Sequence, residues 1–163
     1  MQVVVKKESV LNTPYGAVQK RVISVIENIG FFYECLEIDP VLADTAEFCM
    51  EYGYPIENCA NTIVVASKRG LKQYAACIVR GSDRLDVNRT VKNLMGVSRL
   101  SFASAEDTKT ITRMEMGGVT PFALPCNVPI YVDEKLMRME YLILGSGSRS
   151  SKIKVAPAVL RYI

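Results

Sequence analysis

The sequence predicts a mixed α/β fold: a curved mixed sheet with helices packed on it. Three observations carry that expectation. Helix-period and strand-period stretches alternate along the chain, one pair of strands is joined by a short loop as a hairpin, and turn residues punctuate the chain with no internal repeat or low-complexity tract. Interspersed helices and strands with a hairpin argue against a purely parallel sheet. The 163 residues fit one domain. A domain of that size buries roughly 70% of its unfolded surface, so it needs no disulfide or metal staple.

Taken in order, Thr13-Pro14 opens the first helix, because proline at an early helical position gives up an N–H that has no intrahelical partner anyway. Val18, Val22, Ile23, Val25 and Ile26 recur at helical spacing, and Gly30 ends the run. Residues 31–38 read as a strand closed by Asp39-Pro40. Asp44-Thr45 caps a second helix in which Ala46, Cys49 and Met50 fall at three- and four-residue steps, with Gly53 as its stop. Residues 61–66 form an apolar strand, Ser67-Lys68-Arg69-Gly70 a turn, and residues 72–79 the returning partner. Asp86 or Asn88 caps a short helix through Leu94, stopped by Gly96. Ser104-Ala105-Glu106-Asp107 opens another with a capping-box-like start. Loops rich in Gly and Pro then alternate with short strands at 129–132, 141–144 and 153–155. Asp133-Glu134-Lys135-Leu136 is a short helix between the first two, its paired carboxylates better explained by the helix dipole than by acid–base chemistry. Residues 157–163 make a closing helical turn.

Composition removes whole classes of chemistry. The chain contains no histidine. Ser-His-Asp and Cys-His catalysis, His-ligated metals and an imidazole base are therefore excluded. The five cysteines, Cys35, Cys49, Cys59, Cys77 and Cys126, are odd in number and include no CxxC, which argues against a disulfide framework or a structural zinc site. They read as small buried hydrophobes, with Cys126, near Pro125 and Pro129, the exposed one. No metal or organic cofactor is implied. A net charge of +3 allows transient contact with RNA but lacks the basic run of a nonspecific nucleic-acid binder. Lys6-Lys7, Lys20-Arg21 and Lys68-Arg69 read as solvated surface or, alternatively, as contacts to RNA phosphates. The apolar run within residues 1–8 is far too short for a signal peptide, and no stretch approaches the ~20 apolar residues of a membrane span. These features point to a cytoplasmic protein without a membrane partner.

Two segments carry chemistry. In Met116-Gly117-Gly118-Val119-Thr120-Pro121-Phe122, adjacent glycines let a ligand approach the main chain closely, and Pro121 stiffens the loop's exit. In Gly145-Ser146-Gly147-Ser148-Arg149-Ser150-Ser151-Lys152, an apolar strand runs into a small polar loop ending in two cations. Free backbone N–H groups in such a loop form an anion-binding concavity, and Arg149 and Lys152 add charge for a phosphate or an oxyanion. Taken separately, each also fits a plain turn or a solvent-exposed loop.

Together with residues 61–65, 72–79 and Val132-Asp133-Glu134, and in this order and spacing, the two loops resemble YbaK-type editing domains, which also occur as insertions in prolyl-tRNA synthetases. The helix from Asp44 to Gly53 resembles the family too, so the likeness is clearest over 39–159 of a single domain spanning 1–163. The resemblance implies a largely antiparallel, barrel-like sheet and a trans-editing deacylase that hydrolyses the ester joining a wrong, small amino acid to the 3′ end of transfer RNA. It implies no protein nucleophile: bound water, backbone donors and the terminal ribose hydroxyl do the work, which suits a histidine-free chain and an RNA rather than a DNA partner. A synthetase is the second partner it suggests. Gly117 and Gly118 become backbone donors or pocket wall, each donor worth about 3 kcal/mol. Val119, Thr120, Pro121 and Phe122 size the aminoacyl pocket, and Gly145, Ser146, Gly147 and Arg149 hold the substrate. Family members carry a lysine where this chain has Asn61. A cation about 4 Å from a developing anion contributes on the order of 4 kcal/mol at an effective dielectric near 20. Either Lys152 supplies the cation from across the pocket, or Asn61 orients water. A third outcome is a module of the same fold that binds an aminoacyl or nucleotide-like ligand, or a synthetase, and has lost hydrolysis.

Overall fold

The computed structural model describes residues 15–163; the opening Thr13-Pro14 and the Lys6-Lys7 pair lie outside them. The elements follow the expected order, with one unexpected strand added between the third and fourth helices. Helix α1 (Gly16–Ile29) ends at Gly30, whose φ of 84° closes the helix in the left-handed conformation that glycine adopts without strain. After β1 (Tyr33–Glu37) comes α2 (Thr45–Tyr52), then β2 (Ala60–Ser67) and β3 (Tyr74–Arg80) as an antiparallel hairpin. Of the two candidate caps after β3, Asp86 is the one used: its carboxylate accepts from the amides of Arg89 and Thr90. That cap starts a wide helical turn, Val87–Val91, leading into the one-turn α3 (Lys92–Met95). Strand β4 (Leu100–Phe102) precedes α4 (Ala105–Thr112), capped by the Ser104 hydroxyl accepting from the Asp107 amide. Strands β5 (Ile130–Val132), β6 (Leu142–Gly145) and β7 (Ser151–Val155) complete the chain, with 3₁₀ turns at Glu134–Arg138 and Pro157–Arg161.

The strands form two sheets. One has the order β1-β7-β6, antiparallel throughout; the other has the order β4-β2-β3-β5, in which only β3 and β5 run parallel. The barrel-like closure expected from the sequence is not formed. Closing a barrel requires a continuous ring of paired strands, whereas the two sheets meet through a single parallel bridge between Cys59 and Ile143. They are joined at a corner and stay open elsewhere.

Three apolar clusters hold these layers. The largest sits between α1 and the sheets, with Val22, Ile26, Ile78, Met114, Phe122, Leu142, Leu144 and Ile153 all essentially solvent-free. A second lies on the opposite face of the three-stranded sheet, where α2 presses Phe48 against Leu36, Cys59 and Ile143. A third covers the other sheet, placing Val87 and Val91 against Val65, Ala75 and Cys77. Strand periodicity explains the division. On β7, Ile153 and Val155 turn toward the main core, so Lys152 and Lys154 turn toward the other face.

Candidate functional site

The two glycine loops, distant in sequence, lie main chain against main chain. Gly147 N–H donates to the Gly118 carbonyl at 2.7 Å, and Glu115 N–H donates to the Gly147 carbonyl at 3.0 Å. A β-carbon on Gly118 would stand 2.4 Å from the carbonyl of Ser148, and one on Gly145 2.4 Å from the carbonyl oxygen of Gly118. No side chain fits between such surfaces, which is the physical reason for glycine at these two positions. Gly118 N–H is itself spent on the Glu115 carbonyl at 2.9 Å. Gly118 and Gly147 thus act as wall rather than as free donors, while the amides of Gly117 and Val119 make no hydrogen bond among the described residues.

The serines of the second loop face inward. Ser146, Ser148 and Ser151 are each at most 3% exposed. The side-chain amide of Gln19, on α1, donates to the hydroxyls of Ser148, Ser150 and Ser151. Ser146 and Ser151 join hydroxyls at 2.7 Å, and Ser148 and Ser150 at 2.9 Å. The hydroxyls of this loop are thus engaged with Gln19 and with one another rather than turned to solvent. Thr120 and Phe122 are also sealed at 0% exposure, so no ligand touches either in this conformation; Phe122 belongs to the main core. Pro121 is buried, Val119 half-buried and Gly117 exposed.

The remaining candidates converge on the first turn of α2. Asp44 takes the cap position but makes no capping bond; its carboxylate pairs with Arg149 at 3.0 Å. Arg149 also donates to the Pro40 carbonyl at 2.9 Å, and its backbone amide donates to the Glu115 carboxylate at 2.8 Å. Gly117 packs against the same guanidinium. One residue on, the Thr45 hydroxyl donates to Oδ1 of Asn61 at 2.7 Å. Three residues after Thr45, the ring of Phe48 lies under Lys152, with Nζ 5.0 Å from its centroid. Arg149, Asn61 and Lys152 therefore each touch one residue of a single helical turn.

Lys152 is the unusual member. It is 8% exposed, between Leu36 on one neighbouring strand and Gly145 on the other. Its ammonium makes no ion pair or hydrogen bond among the described residues. Burial pushes its pKa below the ordinary lysine value, against the pull of Cys59, Cys49 and Asp44 nearby, and Arg149 pushes the same way as burial.

Sequence reasoning took Asp44-Thr45 for a cap alone and passed over Gln19, Phe48 and Glu115. Gln19 carried a legible signal, a polar residue beside Val18 on the apolar stripe of a helix. The others become visible only once α2 is docked. Among the described residues, no cluster of His, Cys, Asp or Glu is arranged to hold a metal ion, and no helix is long and apolar enough to cross a membrane.

The fold and this juncture of two glycine loops define an editing-domain architecture, and comparison with known proteins agrees. The aminoacyl-tRNA editing domain family matches residues 39–163, and the chain belongs to that family. It is 32% identical over 108 residues to a proline–tRNA ligase of Caldicellulosiruptor saccharolyticus, covering 61% of this chain and 18% of that one. A proline–tRNA ligase of Caldicellulosiruptor bescii is 34% identical over 83 residues, covering 50% and 14%. The chain thus spans less than a fifth of the length of these relatives. Among solved structures, a hypothetical protein superposes with a TM-score of 0.77 at 25% identity, covering 87% of this chain and 92% of that one. A candidate trans-editing enzyme for prolyl tRNA synthetase superposes at 0.75 with 23% identity, covering 91% and 90%, a likeness of fold.

Proposed function

We propose that this chain is a trans-editing deacylase, which hydrolyses the ester between a small, wrongly attached amino acid and the 3′ end of a transfer RNA. The observation that carries the reading is the gathering of Asn61, Lys152, Arg149 and Gly117 around the cap and first turn of α2, with Lys152 unpaired among the described residues. At the position where the family resemblance implies a lysine, Asn61 has its oxygen held by the Thr45 hydroxyl, which turns its amide N–H groups away from that contact. Lys152, on β7 of the neighbouring sheet and set over Phe48 of the same helix, supplies the positive charge. Water attacks the ester carbonyl, and the amides of Gly117 and Val119 are the donors left to meet the developing oxyanion. The 3′ oxygen leaves with the proton that the water gives up. With no imidazole in the chain, that proton passes through water or the neighbouring ribose hydroxyl.

Similarity to proline–tRNA ligases makes proline transfer RNA the first substrate to test, and the matching synthetase the second partner. Proline transfer RNA charged with alanine, serine or cysteine is incubated with the protein and the surviving ester is followed. The reading expects turnover that Lys152→Ala lowers at least tenfold and Asn61→Lys leaves intact or raises. Turnover unaffected by Lys152→Ala would remove Lys152 from the chemistry. Binding of charged transfer RNA without turnover, restored by Asn61→Lys, would favour a module that kept the fold and lost hydrolysis.

A further inference from the structure

Two thiols that the proposed chemistry does not use meet beside the site. Sγ of Cys49 and Sγ of Cys59 stand 3.4 Å apart. They belong to different elements: Cys49 lies within α2, and Cys59 directly precedes β2. A disulfide has an S–S length of about 2.05 Å, so the sulfurs are in van der Waals contact and need to close by little more than an ångström. The two differ in access. Cys59 is 3% exposed, whereas Cys49 is half-buried and reachable from solvent. Burial, then the Cys59 S–H donating toward Cys49 sulfur, holds the Cys59 thiol protonated well above the ordinary range. Cys49 is therefore the sulfur that an oxidant meets first, and Cys59 the one placed to answer. The positive charge of Lys152 works against that rise at Cys59 without cancelling it.

We propose that Cys49 and Cys59 form a reversible intramolecular disulfide site, with Cys49 the peroxidatic and Cys59 the resolving sulfur toward a hydroperoxide. In the first step the Cys49 thiolate attacks the peroxide, the O–O bond breaks, sulfur gains OH and is oxidised by two electrons. The departing oxygen is reduced and leaves as water or alcohol with the thiol's proton. In the second step Cys59 sulfur attacks Cys49 sulfur, the S–S bond forms, and the hydroxyl leaves as water with the Cys59 proton. The bond ties α2 to the start of β2, two residues ahead of Asn61 and four residues after Thr45, and so clamps the Thr45–Asn61 contact from behind. The site does not depend on the deacylase reading.

The fully reduced chain is treated with hydrogen peroxide, the remaining thiols are alkylated, and peptides are mapped without reductant. The expected result is a Cys49–Cys59 cross-linked peptide as the main intramolecular product, lighter by two hydrogens and lost on adding dithiothreitol. Cys59→Ser should leave Cys49 as a sulfenic acid that dimedone captures, and Cys49→Ser should leave Cys59 reduced at the same dose. The idea is overturned if both cysteines stay alkylatable while the exposed Cys126 is oxidised, or if Cys49 pairs with another cysteine. It is equally overturned if Cys59 oxidises as fast without Cys49. Should either serine variant fail to fold, the peptide map of the unsubstituted chain decides alone.

Discussion

Replacing Gly145 with alanine should pry the two glycine loops apart without altering any other side chain. The new β-carbon would stand 2.4 Å from the Gly118 carbonyl oxygen and 2.5 Å from that of Val119. Both are main-chain atoms, so no side chain can swing aside to relieve the clash. Real β-carbons essentially never come within 3.0 Å of such neighbours, so the loops must part by roughly half an ångström or more. Overpacking in a tight interior costs about 1–3 kcal/mol. The 2.7 Å bond from Gly147 N–H to the Gly118 carbonyl lies across the same gap, and its loss adds about 1 kcal/mol. The expected destabilisation is about 2–4 kcal/mol. For a chain of this size each kcal/mol lowers the unfolding midpoint by about 2–4 °C, so the fall is roughly 4–16 °C. Circular dichroism melts, paired with urea titration, read it directly. An unfolding free energy within about 0.5 kcal/mol of the parent's would refute the interlocked-loop argument, since that is the range of inconsequential surface changes.

Three further outcomes follow from the same contacts. Gln19→Ala removes the one side-chain amide shared by Ser148, Ser150 and Ser151 in a nearly solvent-free setting, and should cost about 1–3 kcal/mol in urea unfolding. Arg149→Lys keeps the charge but cannot reach Pro40 and Asp44 at once; a loss of about 1 kcal/mol by the same titration is expected. An unchanged midpoint would mean that the paired contacts of Arg149 to Pro40 and Asp44 add nothing. Cys77 gives a pH signature. Burial raises its thiol from 9.0 to about 11, so between those values the folded chain keeps a proton that the unfolded chain has lost. Its contribution is complete below pH 9 and disappears as the pH climbs through 11. Urea titrations from pH 8 to 11 should show a decline that Cys77→Ala makes shallower, whatever that variant costs at neutral pH.

Local rules were enough for most elements. Glycine stops at Gly30, Gly53 and Gly96, the Asp86 and Ser104 caps and the β2–β3 hairpin are written in short windows of residues, and the structure follows them. Strand β4 escaped notice because three residues, Leu100–Phe102, are too few to show a period; it exists through its pairing with β2. The open corner between the sheets was equally illegible, since it depends on where Cys59 meets Ile143 across the whole fold. For the site, the loops announced themselves by their glycines, but their inner lining did not. Nothing near residue 146 says that its neighbours' hydroxyls will be answered by Gln19, more than a hundred residues earlier. Nor does the pattern around Lys152 reveal that Phe48 will lie beneath its ammonium.

The reach of Gln19 and the pairing of β1 with β7 bear on how this molecule can be cut. Both elements precede residue 39, where the family match begins. A fragment trimmed to that boundary would leave three serine hydroxyls without their common donor. It would also uncover the whole flank of β7 from Ser151 to Val155, a bare ladder of amides and carbonyls ready to recruit a foreign strand. Such a fragment should be sticky rather than merely less stable, and the first two elements are best regarded as the sheath that keeps the edge of β7 from pairing with its own copies.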